Sequence, residues 1–165
     1  MVVYKSGKQR GNKLMSSNKY IDYVDMWNLI EATSTEFFYD RLEAIGLHRG
    51  QPKMLRFLGE NDGCRQKDIA DRFFLRAASV SGVLNTLEKQ GLIERRQNPK
   101  SRRETLIYLT DHGKEKLVQV KKFYEDIDNQ WFEDFSDEEY QELMRLLGKL
   151  QKSLAKQNEE EKSKN

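Results

Sequence analysis

AASVSGVLNTLEKQG, residues 77–91, combines a packing face and a face of small side chains in one segment. Four apolar residues stand at i, i+3, i+4 and i+7, which predicts an amphipathic helix with a single apolar stripe. They are Val80, Val83, Leu84 and Leu87. Gly91 follows at the position of a left-handed helix cap. Exposed helix surfaces usually favour Glu, Lys and Arg over Ser and Gly, so the small face is predicted to approach another surface closely.

A second short helix is predicted immediately upstream, over residues 66–74. Ile69, Phe73 and Phe74 are expected to face inward from it. Only a few residues separate it from the helix at 77–91. Two short helices joined by a tight turn, the second of them amphipathic, form a helix-turn-helix.

After Gly91 the apolar spacing changes from the helical period to alternation. Residues 92–95 and 105–109 are predicted to form strands, and residues 97–101 (QNPKS) are a turn cluster between them. The sequence therefore predicts a β-hairpin directly after the helix-turn-helix.

Longer helices are predicted on both sides of this lobe. Apolar residues at helical spacing run from Tyr20 to Ile45. After the hairpin, Thr110 is placed to cap a helix, and a capping box from Ser136 to Glu139 opens another one. The predicted fold is mainly α-helical with a small β-hairpin wing, a winged helix-turn-helix between long N- and C-terminal helices.

Charge is distributed unevenly along this chain of 165 residues, whose net charge is only +2. Residues 65–103 contain ten basic and four acidic side chains, whereas residues 111–165 contain ten basic and fourteen acidic ones. This asymmetry predicts that the middle of the chain meets a polyanion and that the C-terminal part does not.

Several other classes of protein are disfavoured. Cys64 is the only cysteine, so no disulfide framework is expected, and a structural thiol is favoured over a redox switch. The two histidines lie far apart, so no metal or other cofactor is expected, although His48 with carboxylates stays open. No phosphate loop or Ser/His/Asp order is present, so an enzyme is rejected. Without a membrane-spanning run or a signal peptide, a cytoplasmic protein without a membrane partner is expected.

The small helix face and the basic hairpin together predict binding to double-stranded DNA. Hydroxyl, amide and methyl groups on a helix in the major groove can read base edges, and hairpin arginines can enter the minor groove or neutralise phosphates. The predicted recognition-helix residues are Ala77, Ala78, Ser79, Ser81, Gly82, Asn85 and Thr86. The predicted wing residues are Arg95, Arg96, Lys100, Arg102 and Arg103. The predicted phosphate contacts are Arg65, Gln66 and Arg76.

Residues 46–117 resemble the winged helix-turn-helix of the multiple-antibiotic-resistance regulator (MarR) family. The matching pieces are QKDIA at 66–70, LEKQGLIER at 87–95, NPKSRR at 98–103 and LTDHG at 109–113. The chain departs from the family pattern at Ser101, where an aspartate that buttresses the wing is common. It departs again at Gly82, where a longer polar residue that can read bases is common.

The resemblance implies a homodimer that binds a pseudo-palindromic operator and regulates transcription as a repressor. The first helix and the last two helices of each protomer would intertwine, with a small aromatic or amphipathic effector bound between them and the DNA-binding lobe. The predicted dimerisation residues are Val24, Trp27, Leu117, Val120, Tyr124, Ile127, Leu143, Leu147 and Leu150.

The chain is accordingly divided into a DNA-binding lobe, a dimerisation region and two tails. The predicted ranges are 1–18 for a flexible basic tail, 19–48 and 110–156 for the dimerisation helices, 49–109 for the winged helix-turn-helix and 157–165 for a charged tail that is frayed or disordered. A winged helix that docks a protein or RNA without operator specificity remains the alternative function.

Overall fold

The computed structural model describes residues 18–162, without the side chains of Glu36, Arg102, Glu161 and Lys162. The helices are α1 (Lys19–Ala44), α2 (Gln51–Glu60), α3 (Gln66–Phe73), α4 (Ala77–Lys89), α5 (Asp111–Trp131) and α6 (Asp137–Lys162). The strands are β1 (Cys64–Arg65), β2 (Ile93–Asn98) and β3 (Ser101–Leu109). The predicted mainly α-helical fold with a small β wing is confirmed. The predicted basic tail, residues 1–18, lies outside the described residues except for Asn18.

The chain divides into two compact units, the first ending at Met54 and the second beginning at Leu55. In the first unit, α1 begins after Asn18, whose side-chain oxygen accepts a hydrogen bond from the Tyr20 amide over 2.9 Å. The helix stops before Gly46, whose φ of +67° lies in the left-handed region. The exposed large apolar residues of α1 are Tyr20, Ile21, Tyr23, Met26, Trp27, Leu29, Ile30 and Tyr39.

The predicted apolar stripe of α4 is the packing face of the second unit. Val80, Leu84 and Leu87 are fully buried, and Val83 is half-buried. Helix α4 packs against α3 and β2. Burying one such side chain stabilises a fold by about 1.5–3 kcal/mol. The other buried apolar residues of this unit are Leu55, Leu58, Ile69, Leu92, Ile93, Ile107, Leu109, Val120, Phe123 and Ile127.

The three strands form an antiparallel sheet in the order β1-β3-β2. The predicted five-residue turn of the hairpin is too long, because only residues 99–100 separate the strands. Polar residues continue the ladder: Gln97 pairs with Thr105, and Asn98 pairs with Ser101 after a register shift. Backbone hydrogen bonds of a ladder do not depend on apolar side chains. The polar residues at 97, 98 and 101 were therefore wrongly assigned to the turn.

The prediction that Phe74 faces inward from α3 is wrong. It caps the helix in a left-handed conformation with φ 52°, and 91% of its surface is exposed. Since the backbone leaves the helical conformation at this residue, the helical spacing that predicted an inward Phe74 side chain does not apply to it. Phe73 itself is half-buried and packs edge-on against Phe57, with ring centroids 5.8 Å apart.

Helix α6 begins as predicted and ends later than predicted. In its capping box the Ser136 hydroxyl accepts from the Glu139 amide over 3.3 Å, and the Glu139 carboxylate accepts from the Ser136 amide over 2.9 Å. The tail from residue 157 was predicted to be frayed or disordered, and disorder is wrong as far as Lys162, because the helix continues to that residue. Lysine, glutamate and glutamine favour helix, and a Lys–Glu pair one turn apart supports this segment.

Helices α5 and α6 use their apolar residues differently. Along α5, Val120, Phe123 and Ile127 are buried. Along α6, the exposed large apolar residues are Met144, Leu146, Leu147, Leu150 and Leu154. No helix within residues 18–162 combines the length and the apolar character needed to cross a membrane.

Candidate nucleic-acid interface

The outer face of α4 carries the residues assigned to base reading. The exposed ones are Ala77, Ala78, Ser79, Gly82 and Asn85, and the half-buried ones are Ser81 and Thr86. A Cβ atom added at Gly82 would meet nothing within 4 Å. The Thr86 hydroxyl donates to the Gly82 carbonyl over 3.1 Å, so only its lone pairs remain for a ligand. This face is therefore thin and uncharged.

Gln66 holds the start of α4 in place. Its side-chain amide donates to the Ala77 carbonyl over 3.1 Å and so joins the first residues of α3 and α4. Arg76 is the N-cap residue of α4 and makes no side-chain cap hydrogen bond. Its side chain is exposed and forms no ion pair among the described residues. Of these two predicted phosphate contacts, Arg76 thus supplies an uncompensated cation, whereas Gln66 supports the scaffold.

Arg65, the third predicted phosphate contact, is engaged by two carboxylates. It pairs with Asp68 over 2.7 Å and with Glu104 over 3.5 Å. The side-chain hydrogen bond from Arg65 lowers the pKa of the Asp68 carboxyl. Exposed pairs of this kind contribute little to stability, because water screens them. The two ion pairs set the position of the Arg65 side chain and compensate its positive charge.

The tip of the wing presents cations to solvent. Lys100 and Arg103 are exposed and form no ion pair among the described side chains. Arg102 lies between them on β3, but its side chain is not among those described. The Lys100 amide donates to the Asn98 side-chain oxygen over 2.9 Å, which closes the tight turn.

The base of the wing holds the other two predicted wing residues in contacts with the protein. The guanidinium of Arg96 lies 4.7 Å from the centroid of the Tyr108 ring and pairs with Glu94. Arg95 pairs with Glu88 of α4. The described side chains of the predicted wing set therefore fall into two groups: Lys100 and Arg103 at the tip form no ion pair, whereas Arg95 and Arg96 at the base are paired with carboxylates.

Glu104 is a structural residue of the wing that sequence reasoning missed. It accepts a hydrogen bond from the Asn98 side chain over 2.8 Å and pairs with Arg65. It thereby connects the turn of the hairpin to β1. The aspartate that commonly supports the wing in the family is replaced by Ser101 in this chain. Glu104, three residues further along, supplies a carboxylate that bonds to Asn98 and Arg65. An isolated acid in a basic strand was the available signal.

Cys64 lies on β1, where it is half-buried and paired with Ile107 of β3. Burial raises the pKa of its thiol to about 11, and the nearby Asp68 carboxylate adds to that shift. The thiol is therefore protonated at neutral pH. Within the described range, no cluster of three or more His, Cys, Asp or Glu side chains is arranged to hold a metal ion.

The predicted dimerisation residues differ in exposure. The exposed ones are Trp27, Leu147 and Leu150, the half-buried ones are Val24, Leu117, Tyr124 and Leu143, and the buried ones are Val120 and Ile127. The last two belong to the core of their own unit.

Together, the buried stripe of α4, its thin outer face and the basic hairpin define a winged helix-turn-helix of the DNA-binding class. A sequence model of the MarR family matches residues 45–104. The chain is 33% identical over 106 residues to the HTH-type transcriptional regulator BilQ of Clostridioides difficile, which covers 64% of this chain and 72% of that protein. The chain belongs to the MarR family, whose members are transcriptional regulators and not enzymes.

Solved structures agree with this fold. The S. aureus MepR–DNA complex superposes with a TM-score of 0.74 at 25% identity, covering 80% of this chain and 97% of MepR. The transcriptional regulator SlyA superposes with a TM-score of 0.74 at 21% identity, covering 82% and 96%. The similarity to SlyA shows the fold alone.

Proposed function

We propose that this protein is a transcriptional repressor that binds a pseudo-palindromic operator in double-stranded DNA as a homodimer. A small aromatic or amphipathic effector releases it. Residues 49–109 form the DNA-binding lobe, and residues 19–48 and 110–156 form the dimerisation region. The protein acts in the cytoplasm, where its operator lies.

The composition of α4 is the observation that carries the proposal. Its inner face is fully buried at Val80, Leu84 and Leu87, and its outer face offers no side chain longer than that of Asn85 in its first nine residues. The major groove of B-DNA is about 12 Å wide and admits a helix of this kind. Small side chains let the helix backbone come near the base edges.

The wing supplies the electrostatic component. Lys100 and Arg103 at its tip and Arg76 at the start of α4 are exposed cations without carboxylate partners among the described residues. Each cation that neutralises a phosphate releases counterions, so affinity must fall as salt rises.

The exposed apolar residues of α1 and α6 support the homodimer. Trp27 is 52% exposed, and Leu147 is 43% exposed at helical spacing with Leu150. Extended apolar faces of this kind mark interaction surfaces in soluble proteins. A twofold dimer would present two α4 helices to two half-sites, which accounts for a pseudo-palindromic operator.

The aromatic residues of α1 support an aromatic effector. Phe37 and Phe38 are half-buried and Tyr39 is exposed. The guanidinium of Arg41 lies 3.5 Å from the centroid of the Phe37 ring. An aromatic ring beside a cation suits a planar ligand with a negative charge.

Selection of bound fragments from random duplex DNA, followed by fluorescence anisotropy over a salt series, tests the DNA-binding role. We expect an enriched sequence with twofold symmetry and an affinity that falls steeply with salt. An RNA duplex of the same sequence serves as the control. Equal binding to both duplexes, or binding that does not change with salt, would contradict the proposal.

Sedimentation of the full chain at micromolar concentration tests the homodimer. We expect twice the mass of one chain, and a folded monomer would refute this part.

A thermal-shift screen of small aromatic acids, followed by anisotropy with the compounds that stabilise the protein, tests the effector. Compounds that stabilise the protein should also release it from the selected DNA.

A further inference from the structure

Asn85, a predicted base-reading residue of α4, is held by a residue of the wing. Its side-chain oxygen Oδ1 lies 2.9 Å from Nη2 of Arg95 on β2. The other terminal nitrogen of Arg95, Nη1, pairs with the Glu88 carboxylate. One guanidinium therefore binds two side chains of the recognition helix.

The chemistry of arginine determines which end of the Asn85 amide faces it. A guanidinium has five N–H donors and no acceptor, so only the oxygen of an amide can be its partner. The oxygen and nitrogen of an asparagine are assigned from such partners. Arg95 offers only donors, and Glu88, on the same helix as Asn85, accepts from its other terminal nitrogen. The amide atom of Asn85 that faces Arg95 is therefore the oxygen. Oδ1 is turned to the wing, and Nδ2 is the end that remains for another ligand.

Arg95 is well placed to keep this orientation. Its side chain is only 25% exposed, and in the β ladder it pairs with the buried Ile107. Glu88 and Asn85 lie three residues apart on α4, so they are neighbours on one helix face. Two contacts to a planar fork restrain it in direction as well as in distance.

We propose that Arg95 is a positioning residue that makes Asn85 read a hydrogen-bond acceptor on a base, and that excludes the bidentate contact with adenine. The bidentate contact needs the oxygen and the nitrogen of the amide side by side against the base, as acceptor and donor. With Oδ1 directed to Arg95, the amide approaches the groove with its NH2 group. Guanine, through O6 and N7, and thymine, through O4, present acceptors to that group, whereas adenine presents N7 beside an amino group that also donates and so opposes an incoming NH2 group. The inference rests on the proposed function, because it requires α4 in the major groove.

This role differs from the phosphate contact that the basic hairpin predicts for Arg95. To reach a phosphate, Arg95 would have to leave both Glu88 and Asn85. Its loss would then weaken binding to all sequences alike and leave the base preference unchanged. A positioning residue changes the preference itself, which separates the two roles.

Base preference is measured with the full-length protein on the operator selected for the wild type, with every position varied through all four base pairs. Asn85→Ala identifies the position that Asn85 reads. Arg95→Met removes the guanidinium donors and keeps an unbranched side chain similar to the arginine stem. Arg96→Met is the matched control, since it removes the same charge from the next residue of β2, which bonds to Glu94 and not to α4. Circular dichroism confirms that each variant is folded.

We expect the wild type to prefer guanine or thymine over adenine at this position by on the order of tenfold. Arg95→Met should gain affinity for adenine relative to them by a similar factor. Arg96→Met removes a predicted wing residue, so its overall affinity is not the control readout; its order of preference among the four bases should stay that of the wild type. Asn85→Asp is a second test that leaves Arg95 in place. It converts the outward donor into an acceptor and should shift preference to cytosine or adenine, whose amino groups donate.

An unchanged preference in Arg95→Met, or a wild type that prefers adenine at this position, would overturn the inference while leaving the proposed function intact. A wild type that selects no DNA sequence would instead refute the proposed function.

Discussion

The hydroxyl of Thr110 donates a hydrogen bond to the carbonyl of Gly91 over 2.6 Å and so joins the end of α4 to the start of α5. The same oxygen accepts from the Gly113 amide over 3.0 Å as the N-cap of α5. The Thr110 amide donates to the Leu92 carbonyl over 3.1 Å. One residue thus connects α4, the sheet and the long helix that follows.

Thr110→Val should lower the free energy of unfolding by about 1–2 kcal/mol, because it removes the cap of α5 and the bond to Gly91 without changing the side-chain volume much. Urea denaturation monitored by circular dichroism measures this. Thr110→Ser should recover most of the loss, and Thr105→Val, at an exposed position of β3, is the control. Equal stability of the two valine variants would disprove the role of the hydroxyl.

Gly113→Ala should destabilise the fold by about 1–3 kcal/mol. A Cβ atom at Gly113 would lie 1.9 Å from the Leu92 carbonyl oxygen, and a backbone atom cannot move aside as a side chain can. Gly82→Ala is the matched control, since that Cβ meets nothing within 4 Å and should stabilise α4 by about 1 kcal/mol. Chemical denaturation of both variants should therefore give shifts of opposite sign, and shifts of the same sign would argue against the close contact.

Phe74→Gly should raise the free energy of unfolding by about 0.5–1 kcal/mol. Glycine adopts a φ of 52° without steric cost, and the exposed ring of Phe74 contributes little burial. Phe74→Ala separates the two effects, because it removes the ring and keeps the left-handed strain. Thermal melts should rank the glycine variant above the other two proteins, and a glycine variant that melts below the wild type would show that the ring packs.

Arg103→Ala should weaken DNA binding and reduce the slope of log affinity against log salt by about 1, the effect of one lost phosphate contact. Arg103 is exposed at the wing tip and forms no ion pair among the described side chains. Arg145→Ala, which removes a charge paired with Glu142 on α6, is the control. Anisotropy titrations at several salt concentrations measure both, and matching slopes in wild type and Arg103→Ala would remove Arg103 from the interface.

Cys64 should react slowly with iodoacetamide at pH 8 in the native protein and much faster in urea. Burial raises the pKa of its thiol to about 11 in the folded chain, so the reactive thiolate is scarce there. The unfolded chain ionises first as pH rises, so this group lowers stability between about pH 9 and pH 11 and has no effect below that window. Mass spectrometry of the alkylated fraction over time checks this, and fast native alkylation at pH 8 would contradict it.

Periodicity and capping patterns were sufficient to predict the main helices and the position of the wing. The stripe of Val80, Leu84 and Leu87 predicted the buried face of α4, because a helix that packs on one side repeats its apolar residues at the helical period. Thr110 and Ser136 predicted two helix starts, because a cap acts on amides within three residues of itself. The assignment of bases and phosphates to particular side chains stays a prediction.

The wrong predictions lie at the ends of helices and strands, where a local sequence pattern does not show where the element stops. Phe74 was placed inward because helical spacing was extended one residue too far. The hairpin turn was predicted too long because the polar residues Gln97, Asn98 and Ser101 were interpreted as turn, although they pair in the ladder. Helix α6 was ended too early because residues 157–162 were interpreted as tail, although they continue the helix.

The class of protein follows from local sequence patterns, because an apolar stripe with a thin opposite face, followed by a basic hairpin, specifies a winged helix-turn-helix within a few residues of each pattern. Which described cations lack a carboxylate partner, and how the Asn85 amide is oriented, depend instead on contacts between distant parts of the chain. Arg95 meets Asn85 across ten residues of sequence and Arg65 meets Glu104 across thirty-nine, and neither pair has a periodic signal. Such contacts depend on where the strands and helices lie in space, since a hydrogen bond requires two atoms about 3 Å apart.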